Sequence, residues 1–87
     1  MIELNPIQRQ ILRSLIFAEP FGTLVEEVKA SPHVISSELK FLIARGLVSP
    51  MEAGPNDRYR PSIYYDSDNM HAFRYQITAK GLKHQEG

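Results

Sequence analysis

Two cap-and-proline pairs, Asn5-Pro6 and Ser31-Pro32, set where helices begin in the first half of this chain. In each pair a side-chain oxygen can accept from an early helical amide, and proline occupies the first helical position, where its missing N–H forfeits no bond. The first pair predicts a helix over residues 5–18. Ile7, Ile11, Leu15 and Ala18 follow the helical repeat, while Leu12 and Ile16 widen the apolar arc to about half the circumference, more than a one-sided stripe requires. Pro20 and Gly22 then break the helix, and the capping-box spacing of Thr23 and Glu26 predicts a second one over 24–30, buried through Leu24, Val25 and Val28. Ser31-Pro32 opens a third over 32–45, which Gly46 closes by suiting the left-handed position just past a helix end. Its core face is Ile35, Leu39, Leu42 and Ile43.

The second half changes period. "LVSPM" after Gly46 and the alternating "AFRYQI" near the end read as strands. Between them, Glu52 to His71 is rich in Gly, Pro, Asn, Asp, Arg and Tyr, and reads as a loop or as an extended hairpin with a short strand at "SIYY". The strands and the segment between them therefore occupy 47–77. Thr78 caps a terminal helical turn over 78–85, in which Gly81 opposes the helix.

With 87 residues the chain holds one domain, spanning 1–87, and folding it buries roughly 60% of the surface of the extended chain. No apolar run approaches the length that crosses a bilayer, and "MIELNP" is not a secretory signal, so a cytoplasmic protein with no membrane partner is expected. Cysteine is absent, which excludes disulfides and thiolate metal sites. The three histidines lie in separate segments without metal-ligand spacing, and no nucleophile motif or phosphate-binding glycine loop occurs. Neither an enzyme nor a cofactor is expected. Ten basic and ten acidic residues give a formal net charge of zero, so any nucleic-acid surface has to come from local clustering.

Three helices followed by a strand-rich wing, with a short second helix leading straight into the third, resembles the winged helix-turn-helix regulators. "VISSELKFLIARGLV" from Val34 to Val48 resembles their recognition helix, closing glycine and first wing strand. "YQITAKGL" from Tyr75 to Leu82 resembles the phrase that follows their wing. Both occur in this order in the multiple-antibiotic-resistance, arsenic-repressor and phenolic-acid-repressor groups. The resemblance implies an α+β fold with a three-helix core, a long two-stranded wing and a short C-terminal helix. It implies a DNA-binding transcriptional regulator that acts on double-stranded DNA as a homodimer.

With Ile35, Leu39 and Leu42 inward, a turn of about 100° per residue puts His33, Ser37, Lys40 and Ala44 on the opposite side, with Ser36 toward an edge. Small hydroxyl side chains allow close approach to the major groove, and Lys40 can neutralise a phosphate or reach guanine. The bland alternative makes this flank an ordinary solvated helix side. Arg58 and Arg60 in "NDRYRPSIYY" are expected to supply wing contacts to the backbone or minor groove, although Asp66 and Asp68 partly offset their charge.

Val34 and Phe41 form a second apolar line on the third helix, which Tyr64 or Tyr65 folding back from the wing would cover. The broad first helix, with Leu4 beside it, is expected to form the homodimer contact through Leu4, Leu12 and Ile16. The rival function is a protein-interaction module docking through Val34, Phe41 and the tyrosines without binding DNA.

Overall fold

Asn5 and Gln8 cap the first helix, α1 (Pro6–Ser14), reciprocally: Asn5 Oδ1 accepts from the Gln8 amide at 2.8 Å, and Gln8 Oε1 accepts from the Asn5 amide at 3.0 Å. A computed structural model describes residues 3–53, 59–61 and 68–86. In it α1 stops before residue 18. The Leu15 amide turns in to Leu12 O at 3.2 Å, and Leu15 O accepts from the Ile77 amide at 2.8 Å, so a strand takes the carbonyl that another helical turn would have used.

The chain then runs extended as β1 (Glu19–Pro20) directly into α2 (Phe21–Val28). This corrects the expected start at 24 with Thr23 as cap: Pro20 is the N-cap residue and no side chain caps the helix. Two tertiary constraints fix the entry instead. Glu19 and Pro20 pair with Tyr75 and Arg74, and Phe21 is buried. The helix ends at Lys29, whose φ of 57° is the left-handed turn that redirects the chain.

The third helix, α3 (Pro32–Ala44), begins as predicted, with Ser31 Oγ accepting from the Val34 amide at 3.3 Å. Gly46, at φ 73°, ends it. The Gly46 amide donates to Ile43 O and the Leu47 amide to Leu42 O, both at 3.0 Å, the paired bonds of a Schellman motif.

β2 (Val48–Ala53), β3 (Tyr59–Pro61) and β4 (Arg74–Ile77) join β1 in an antiparallel sheet of order β1-β4-β2-β3. The two wing strands, β2 and β3, are thus part of a sheet that β4 and β1 extend. β2 pairs on one edge with β3, Glu52 opposite Arg60, and on the other with β4, Val48 opposite Ile77. The expected strand at "SIYY", the predicted covering tyrosines Tyr64 and Tyr65, and Arg58 lie outside the described residues. A 3-10 turn at Met70–Ala72 precedes β4, locked by the buried Tyr75 hydroxyl donating to Met70 O at 2.7 Å.

α4 (Ala79–Glu86) is a helix of eight residues, begun as expected by Thr78, whose Oγ1 accepts from the Gly81 amide at 3.0 Å. Gly81 belongs inside it for a steric reason. A Cβ there would collide with Leu47 O and come within 2.6 Å of Ile77 Cγ1.

α1 packs against α2, α3 and α4, so its broad apolar arc is consumed within one chain. Leu12, Leu15 and Ile11 have no exposed surface, and Leu4 retains 8%. The expectation that Leu4 and Leu12 form a dimer contact is corrected accordingly: both belong to the core, where each buried leucine contributes about 1.5–3 kcal/mol. Ile16, past the helix end, is exposed.

Candidate nucleic-acid interface

Ile35, Leu39 and Leu42 are fully buried. That orientation leaves the opposite flank of α3 outward: His33, Ser37 and Ala44 are exposed, and Ser36 and Lys40 are half-buried. The predicted polar set on this helix is therefore on one uncovered side. Chemically it offers hydroxyl donors and acceptors, an imidazole in the first helical turn and one ammonium, a set suited to base edges and phosphate oxygens.

The remaining acid on α3 is turned to another use. Glu38 Oε2 accepts from Asn5 Nδ2 at 3.0 Å, which ties it to the start of α1 and away from the His33–Lys40 flank. Repulsion between that carboxylate and an anion approaching the flank is thereby reduced.

Arg45 is a candidate that the sequence reading passed over. It lies exposed at the C-cap of α3, its guanidinium carbon 4.0 Å from the centroid of the Phe41 ring. Spacing carries the signal, since residues four apart meet on a helix. The contact also accounts for Phe41. The ring is half-buried, packed on the core from below and covered by a guanidinium above, while Val34 remains 36% exposed. A stacked arginine keeps its charge and most of its N–H donors available to phosphate.

The wing is documented at its base. Arg60 stands in β3 across from Glu52, and Arg58 lies outside the described residues, so of the two predicted wing arginines the backbone position of one is established. Arg74 is in β4 opposite both Pro20 and Met51, at the centre of the sheet. Lys80 is held by the main chain, its Nζ donating to Arg45 O at 3.0 Å.

Among the described residues, no group of three His, Asp or Glu side chains could hold a metal ion, and no helix is long and apolar enough to cross a membrane.

No protein-family model matches the chain, and no curated protein matches it. Among solved structures, the crystal structure of a zinc-responsive MarR family member, ZitR of Lactococcus lactis, is similar with a TM-score of 0.71 over 98% of this chain, at 20% sequence identity. The chain spans about half, 51%, of the length of that protein. Three packed helices, the capped turn between the second and third, and the returning wing strands together make this chain a winged helix, similar in fold to that MarR family member.

Proposed function

We propose that the chain is a DNA-binding module of a transcriptional regulator, which sets α3 in the major groove and the β2–β3 wing beside the backbone. The observation that carries the reading is the uncovered flank of α3, where His33, Ser37 and Lys40 face outward while Glu38 is retained by Asn5. Likeness of fold to a MarR family member supports it as analogy, since fold alone does not fix function. In this reading Ser36 contacts at the edge of the footprint, Arg45 adds a phosphate contact, and Arg58 and Arg60 serve the wing.

Two copies binding two half-sites would give the usual symmetric arrangement. The surface offered for that contact is Ile16, 43% exposed, with Phe17 beside it at 75%. The competing docking function would rely on Phe41, and the Arg45 guanidinium lying over that ring leaves it less apolar surface to offer.

Selection of bound fragments from a pool of genomic duplexes tests the proposal. Recovery of a shared sequence, with affinity that falls as salt rises, is expected; a pool that emerges unenriched at low salt refutes it.

A further inference from the structure

The end of α3 is held by the start of α4. Thr78 Oγ1 donates to Gly46 O at 2.7 Å while accepting from the Gly81 amide at 3.0 Å, so one hydroxyl joins the glycine that closes α3 to the first turn of α4. The Thr78 amide donates to Leu47 O at 3.0 Å, and Lys80 Nζ to Arg45 O at 3.0 Å. Three consecutive carbonyls past the helix end, those of Arg45, Gly46 and Leu47, thus receive donors from Thr78 and Lys80. The missing Cβ of Gly81 permits this approach, because a methyl group would meet Leu47 O and the Ile77 side chain.

Helix C-termini carry free carbonyls and partial negative charge, and an ammonium placed there is favourable. A cap normally comes from the residues that immediately follow a helix. Here Lys80 arrives from 35 residues further along the chain, so the bond joins the end of one helix to the start of another as well as completing a terminus.

We propose that Thr78 and Lys80 are positioning residues for α3: by gripping its C-terminal end they make α4 the element that sets the direction in which His33, Ser37 and Lys40 are presented. The functional half of this inference rests on the DNA-reading proposal; the structural half does not. Lys80 acts through the α3 terminus, so it is distinguished from a phosphate contact by what its loss does. A lost phosphate contact lowers affinity for all duplexes alike and flattens the salt dependence by about one unit of slope, whereas a lost positioning contact erodes preference for the selected duplex and leaves the slope in place.

The test compares the full chain with Lys80→Met, Lys80→Arg and Gly81→Ala, each first confirmed as folded by circular dichroism. Amide hydrogen exchange in the free protein reads the junction, and titration of the selected duplex against an unrelated one reads the interface. Lys80→Met should speed exchange at Gly46 and Leu47 by about two- to fivefold, the range that corresponds to a cation at a helix C-terminus. Lys80→Arg should stay close to the parent. Gly81→Ala raises the intrinsic helix propensity of α4, yet should loosen the same amides by wedging the helix off Leu47. Both loosening variants should narrow the ratio of selected to unrelated affinity with an unchanged salt slope. Unaltered exchange in Lys80→Met and Gly81→Ala would overturn the grip itself, whatever DNA does. Faster exchange with an intact preference ratio would overturn the positioning role, and a parent that prefers no duplex would remove that role together with the DNA-reading proposal.

Discussion

Asn5 Nδ2 donates to Glu38 Oε2 at 3.0 Å, joining residues 33 apart so that the cap of α1 also restrains a side chain in the middle of α3. The same asparagine holds the Gln8 amide through Oδ1. Its two ends can be separated by substitution. Asn5→Ala removes the cap and the link, and should cost about 0.5–2 kcal/mol in urea denaturation. Asn5→Asp keeps an accepting oxygen for Gln8 but sets a second carboxylate against Glu38. Its smaller loss should shrink when Glu38→Gln is added, an outcome that a pure capping role would not give.

Leu12 and Phe17 should respond in opposite ways. Leu12 is sealed in the core, so Leu12→Ala is expected to cost about 2–5 kcal/mol at every protein concentration. Phe17→Ser, at a side chain 75% exposed, should leave monomer stability within about 0.5 kcal/mol of the parent. Its effect should be seen in sedimentation equilibrium instead, as weaker self-association. If dilution leaves the parent's sedimentation unchanged, the dimer surface proposed at Ile16 and Phe17 is wrong.

Tyr75 has no exposed surface, and its hydroxyl anchors the 3-10 turn through Met70 O. Tyr75→Phe keeps the packing and removes the donor, for an expected loss of about 1–2 kcal/mol in thermal or chemical denaturation. A neutral result would mean that water or a shifted backbone satisfies Met70 O equally well.

Gly46 stands at φ 73°, where a side chain strains the backbone. Gly46→Ala should cost about 1–2 kcal/mol. Space around the position is open, the nearest atom to an added Cβ being Lys80 Cδ at 4.0 Å, so the loss should come from the dihedral and not from a clash. Gly46→Asn should recover part of it.

How much of this was legible in the sequence depended on how local the cause was. Asn5-Pro6, Ser31-Pro32 and Gly46 act within a single helical turn, and each stands where it was read. Thr23 had the right spacing for a cap, but α2 starts earlier because Phe21 is buried and β1 pairs with β4, more than fifty residues away. Periodicity within one helix carries no trace of such a pairing. The dimer contact expected of Leu12 and Leu4 gives way to core packing for a related reason. A wide apolar arc says that a helix is covered on several sides; that the cover is α2, α3 and α4 of the same chain depends on tertiary arrangement. Gly81 read as a weakness in a helix and is a contact with Leu47, again a matter of which backbone comes near. At the interface, the outward flank of α3 follows from helical geometry alone, whereas the place of Arg45 depends on Phe41 holding it, a side-chain contact that the flank's periodicity does not mark.

The central claim is that the flank of α3 bearing His33, Ser37 and Lys40 meets duplex DNA, and a fluorescence-anisotropy titration of a labelled duplex across a salt series tests it most directly. The expected result is binding at low salt whose logarithmic affinity falls linearly with the logarithm of salt, and a Lys40→Ala variant whose slope is shallower by about one. Binding indifferent to salt, or a Lys40→Ala variant that retains the parent's affinity and slope, would contradict it.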